Sequence, residues 1–331
     1  MKPLIKKLVE AYGPSGYEDH LRDLIRAEIK GVPDYISVDP LGNLIAGIRS
    51  QAKSGKRIML TAHMDEIGVM VTYVDEKGFC RLTNIGGVRP LNCVGSRVRF
   101  SSGVTGVIGV EKLDDATRAP TFEQLYLDVG ATSRADCPVK VGDAAGFVRA
   151  FEDHGDRLIG KSMDDRVGCA ILIETLKTLK RTPHEVAFVF SVQEEVGLRG
   201  AGVSAYGVEP ELGIAVDVTA TGDTPKGLKM EVALGKGPAI KVRDQGMLAD
   251  PRIKNLLVRR AQDAKLSYQL EVLERGTTDA ASMQLARGGV PAGCVSIPCR
   301  YIHSVSETVD FRDVQAAVKL LTTVLERQIE L

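Results

Sequence analysis

The chain is 331 residues long and 44% hydrophobic, enough to bury one large core or two moderate ones, and its length corresponds to about two domains. Lys+Arg and Asp+Glu balance at 43 each, so no global field favours nucleic acid or an anionic membrane surface. None of the six cysteines forms a C-x-x-C pair, and Cys169 and Cys294 fall inside apolar segments, which predicts buried, reduced thiols in a cytoplasmic protein.

The first seven residues, Met1 to Lys7, lack the apolar core of a targeting signal, and no stretch is long enough to span a bilayer, so a soluble protein is expected. Leu4 to Ala11 and Tyr17 to Ile29 have helical spacing of apolar residues, as at Leu21, Leu24, Ile25 and Ile29. The turn Gly13-Pro14-Ser15-Gly16 separates them. Ile58-Met59-Leu60 then predicts a strand leading to His63 and Asp65. From Val69 to about Ala150 the texture changes to short valine-rich runs between glycines, such as Val69 to Val74 and Val104 to Val110, which predicts a small β domain.

After Gly160 the alternation of strand and helix resumes. Asp164 and Asp165 open a helix running through Val167, Ala170, Ile171 and Leu176. A strand from Val186 to Val192 leads to Glu194 and Glu195, a second at Ile214 to Val216 leads to Asp217, and Val295-Ser296-Ile297 precedes His303. A last helix shows Val314, Val318, Leu321 and Leu325 on one face. The β segment 69–157 is therefore expected as an insertion in one discontinuous α/β domain, 1–68 and 158–331.

Ligands of an open α/β sheet bind beyond the carboxyl ends of its strands, so groups from distant positions can converge there. Two histidines with several carboxylates form a donor set suited to Zn²⁺ and its first-row neighbours. Singly, each group has an ordinary reading. His63-x-Asp65 is common by chance, and acids at a helix start are favoured by its dipole. Together, Asp65 can accept the second N–H of His63, one of Asp164 and Asp165 can bridge two metals, and one of Glu194 and Glu195 can bind metal while the other faces a reacting water. These residues point to a metallo-hydrolase.

Five motifs carry a resemblance. His63-Met64-Asp65-Glu66-Ile67-Gly68, Gly160 to Gly168, Gln193 to Ala201, Asp217-Val218-Thr219 and Ile302 to Glu307 together resemble the glutamyl/tetrahedral aminopeptidase family of di-metal exopeptidases, and the match runs nearly end to end. The resemblance implies a phosphorylase/hydrolase-like, mixed-sheet α/β catalytic domain with an inserted small β-barrel-like dimerisation domain. It implies two divalent ions, Zn²⁺ or Co²⁺, with His63 and Asp217 on one, Glu195 and His303 on the other, and Asp164 bridging. Asp164 is preferred to Asp165 because the family motif tolerates an amide at the following position.

Catalytic roles follow in the same way: Glu194 as general base and Asp65 orienting His63, in a bridging-water mechanism that removes the N-terminal residue from short peptides. Neither nucleic acid nor membrane is an expected partner. The expected assembly is a homo-oligomer, a dimer at minimum and a dodecamer as the resting form. The rival chemistries are another di-metal hydrolase, such as a carboxypeptidase or N-deacylase, or an endoglucanase-labelled relative. A glycosidase needs an acid pair without obligatory metals, and the metal donors argue against it.

Overall fold

The computed structural model describes residues 1–50, 52, 54–113, 115 and 117–331. Two amphipathic helices open the chain. α1 (Lys2–Val9) buries Ile5, Leu8 and Val9, and α2 (Asp19–Glu28) buries Leu21 and Ile25. β1 (Tyr35–Val38), β2 (Leu44–Ile48) and β3 (Arg57–His63) follow.

The next six strands are β4 (Gly68–Val74), β5 (Cys80–Ile85), β6 (Arg97–Phe100), β7 (Thr105–Val110), β8 (Leu125–Asp128) and β9 (Ala144–Phe147), with a one-turn α3 (Pro90–Cys93) after β5. They close into an antiparallel barrel in the order β4-β5-β8-β7-β6-β9. Val69, Val71, Leu82, Val98, Ile108 and Leu127 fill its interior. Closure leaves no unpaired strand edge, which is how so small a β unit protects its backbone.

The chain returns through β10 (Glu152–His154) and β11 (Arg157–Gly160) into α4 (Met163–Thr178). The remaining elements are β12 (Glu185–Ser191), α5 (Arg199–Val208), β13 (Leu212–Thr219), β14 (Ala239–Arg243), α6 (Pro251–Asp263), β15 (Gln269–Val272), α7 (Asp279–Gln284), β16 (Ala292–Arg300), β17 (Glu307–Asp310) and α8 (Phe311–Leu325). The strands outside the barrel form one mixed sheet of 11, ordered β1-β2-β12-β3-β13-β16-β17-β11-β10, with β14 joined to β16 and β15 to β14.

The central strands β12, β3, β13 and β16 are parallel and buried on both faces, so they read as continuous apolar runs. Their alternation still assigns faces. Ile58, Leu60, Phe188, Ile214 and Val216 meet the cluster built from α1, α4, α6 and α8, where α4 is buried from Met163 through Ile173. Met59, Ala187, Val189 and Ala215 meet Ala201, Ala205, Ala280 and Met283 of the shorter α5 and α7. The fold is the expected α/β class with a mixed sheet and a small closed β-barrel; the barrel strands run from Gly68 to Phe147, while β10 and β11 pair into the mixed sheet. Parallel pairing sets His63 level with Ser191 and Asp217 level with Ser296, so the loops after these strands leave on one edge. Among the described residues no helix is long and apolar enough to cross a membrane.

Candidate di-metal active site

All five proposed donors meet at that edge. His63 ends β3, Asp217 lies near the end of β13, Glu195 follows β12 and His303 follows β16. Asp164 comes from the start of α4, where Asp164 and Asp165 have non-helical backbone angles, so the helix becomes regular only after them. The His63 Nε2 atom is 3.0 Å from Asp164 Oδ1 and 3.9 Å from Asp217 Oδ1. On the other side, His303 Nε2 is 3.4 Å from Asp164 Oδ2 and 3.1 Å from Glu195 Oε2. Donor atoms of His63, Asp164 and Asp217 lie within 4.8 Å of one another, and so do those of Asp164, Glu195 and His303. Asp164 thus belongs to both groups and turns one oxygen to each.

Asp165 is occupied differently. Its Oδ2 accepts the His63 backbone N–H at 3.2 Å and its Oδ1 accepts that of Gly168 at 3.1 Å, which removes it from the shared position. Glu194 belongs to neither group, yet its Oε2 is 3.9 Å from His63 Nε2. Hydrogen bonds thus set Asp165 apart from Asp164, and proximity to the other donors sets Glu195 apart from Glu194.

Asp65 is fully buried and does more than face the imidazole. His63 Nδ1 lies 3.1 Å from its main-chain oxygen and 3.4 Å from its carboxylate. The carboxylate also accepts the backbone N–H groups of Glu194 at 3.0 Å and Glu195 at 3.1 Å, and the Ser15 hydroxyl at 2.6 Å. One side chain therefore fixes a histidine and the adjacent glutamate pair together.

Sequence reasoning missed three supporting groups. The Glu307 carboxylate accepts the backbone N–H of His303 at 2.8 Å and of Asp164 at 2.9 Å, tying two donors to one strand end. Its place at the end of the Ile302 to Glu307 motif, four residues after His303, was the available signal. Glu66 accepts from Lys161, Ser162 and the Gly13 N–H, holding the N-terminal turn to the start of α4. The third group comes from the barrel: a Cβ on Gly87 would run into the His303 ring, and Arg89 lines the same cleft.

Burial pushes Glu194 well above the ordinary carboxylate range, with Asp217 and Glu195 adding to the push and His63 opposing it. Burial and Asp164 likewise raise Asp217. Burial also works on Asp164, but hydrogen bonds from His303 and His63 outweigh it and hold this carboxyl below its usual range. The cluster is an excess of buried carboxylates over imidazoles, a state that protons or cations must neutralise. Imidazole and carboxylate donors converging in two groups fit divalent first-row ions.

The model of the M42 glutamyl aminopeptidase family matches residues 42–320. The chain belongs to the M42 glutamyl aminopeptidase family. This M42 chain is accordingly an aminopeptidase, a hydrolase acting on peptides. It is 37% identical to the lysyl aminopeptidase of Pyrococcus furiosus, with 98% of this chain and 96% of the relative covered. An aminopeptidase from the archaeon Desulfurococcus kamchatkensis superposes with a TM-score of 0.95 at 40% identity, covering 99% and 94% of the two chains. The TET1 peptidase of Pyrococcus horikoshii gives a TM-score of 0.90 at 32% identity with 99% of each chain covered, and that protein is described as able to assemble into a tetrahedron or a large octahedral shell.

Proposed function

We propose that this M42 aminopeptidase is metal-dependent and removes the N-terminal residue from short peptides. The reading rests on one observation: two donor groups share Asp164, with Glu194 beside them and in neither. His63 and Asp217 would hold one ion, Glu195 and His303 the other, and Asp164 both. Two divalent ions held there would supply Lewis acidity and lower the pKa of water toward neutrality.

The chain's own groups do the rest. Glu194, uncommitted to a donor group, takes the proton of the attacking water and delivers it to the leaving amine. Asp65 holds the backbone of Glu194 and Glu195 and the orientation of His63, so base and donors keep a fixed separation. The acids of the cleft attract a free α-ammonium, which confines cleavage to the N-terminus.

Segment 69–157 acts as a dimerisation domain on the catalytic domain formed by 1–68 and 158–331, and the dimers build a dodecamer in the cytoplasm. The assembly named for the Pyrococcus horikoshii relative supports this reading. A panel of free-amine, N-acetylated and C-terminally amidated peptides, with and without a strong chelator, tests the function. Cleavage of free-amine peptides alone, abolished by chelator and restored by Zn²⁺ or Co²⁺, is expected. Cleavage of the acetylated peptides, or full activity in metal-free protein, contradicts it.

A further inference from the structure

The cleft around Asp217 and His303 has a volume of about 1410 Å³ and extends along β13, β14 and β15. Its far wall carries an arrangement of charges that bears on which side chains can bind there. Leu270 and Val272 stand two residues apart on β15, so they project to the same face, and both line the cleft at 52% and 54% exposure. Leu228, at 57%, joins them in the same cavity. Large apolar side chains scattered singly over a surface mean little, but several lining one concave site offer a binding area for apolar groups.

Glu271, between them, projects the other way and is fully buried. Its carboxylate accepts from Lys241 Nζ at 2.5 Å and from the Thr219 hydroxyl at 2.6 Å, and Asp244 lies 3.9 Å from the same lysine. Lys241 borders the cleft yet is itself 1% exposed. Lys241, the buried lysine that borders the cleft, is therefore held by Glu271 and not free to receive a glutamyl side chain. The buried acids behind this wall, Glu271 and Asp244, already face Lys241. Separating such a pair strands a buried charge, which strongly opposes recruiting either partner for a substrate. The exposed charges of the cleft wall, Arg89, Lys229, Arg275, Glu231 and Glu274, are of mixed sign, so they set up no single-sign field.

We propose that this wall selects an apolar N-terminal side chain, of leucine or methionine type, over acidic and basic ones, with Leu270 and Val272 as specificity-determining residues. The proposal rests on the aminopeptidase reading above. It departs from the glutamyl and lysyl preferences for which the family and the Pyrococcus furiosus relative are named.

Aminoacyl-p-nitroanilides of leucine, methionine, alanine, lysine and glutamate test it on the full-length, metal-loaded protein. The expected kcat/KM for leucine exceeds those for lysine and glutamate by about tenfold or more, the lower end of what even one methylene is worth in a fitted hydrophobic pocket. Leu270→Gln and Val272→Thr alter side chains that are more than half exposed, so folding is preserved, and each should lower the leucine-to-alanine ratio of kcat/KM several-fold. A general structural defect would lower both substrates and leave that ratio alone. A preference for lysine or glutamate, or an unchanged ratio in both variants, overturns the proposal. Hydrolysis of none of the five substrates would instead overturn the aminopeptidase reading beneath it.

Discussion

Asp65→Asn keeps the shape of a fully buried side chain while removing its charge. The parent carboxylate accepts two backbone N–H groups, at 3.0 and 3.1 Å, and one hydroxyl at 2.6 Å. An amide offers one acceptor oxygen, so its NH₂ must face either the Glu194 or the Glu195 N–H. Losing a charged hydrogen bond costs about 1.5–3 kcal/mol, and a buried unsatisfied N–H adds about 1–3 kcal/mol. Partial relaxation brings the expected destabilisation to about 3 kcal/mol. Ser15→Ala deletes a single donor and should cost only about 1 kcal/mol. Freed orientation of His63 should also weaken metal binding by about 10–100-fold. Urea unfolding of metal-free protein measures the first effect and Zn²⁺ titration the second. If Asp65→Asn changes stability by less than about 0.5 kcal/mol and leaves metal affinity intact, Asp65 is not the brace described here.

His303→Ala and Asp164→Ala should both lower metal content, and Asp164→Ala should do so at both positions because its two oxygens face different groups; elemental analysis of purified variants decides this. The Asp223 carboxylate accepts two hydrogen bonds from Arg300, at 2.9 and 2.8 Å, and that guanidinium holds it below the usual carboxylate range. A depressed folded pKa contributes stability above the unfolded value of about 3.9 and loses it as pH falls further, so a deficit of about 1 kcal/mol in Arg300→Met at pH 6 should shrink below pH 4 in urea unfolding. Light scattering at micromolar concentration should give a dimer at minimum and a dodecamer as the main species, and a fully active monomer would remove the dimerisation role of 69–157.

Much of the architecture was legible because parallel central strands carry long apolar runs. Val186 to Val192 and Ile214 to Val216 stood out, and each run was followed by the acid that the strand end delivers. The small β domain was legible from its texture of short runs between glycines, as at Thr105–Val110, and its barrel form through the family resemblance. Shorter strands were not: β14 and β15 have five and four residues and mix Lys241 and Glu271 with apolar neighbours, so no clear period marks them. Buried charges of this kind read as surface residues until the fold pairs them. Within the site, residue types and order were readable from the residues themselves, while the division of labour came only through the family resemblance. Glu194 and Glu195 differ in sequence only by position, and Asp164 differs from Asp165 through hydrogen bonds to His63 and Gly168 that exist only after folding. The role of Glu307 as a tie to Asp164, and the approach of Gly87 to His303, were not readable because each joins positions distant in the chain.

Glu194→Gln tests the central claim most directly, because it preserves size and leaves both donor groups whole. Metal content per chain and turnover of a free-amine peptide should be measured on the same preparation. The account predicts metal content close to that of the parent, with turnover reduced by about two to four orders of magnitude, as expected for loss of a general base. Loss of metal with turnover per bound ion preserved would contradict it, and would exchange the roles of Glu194 and Glu195.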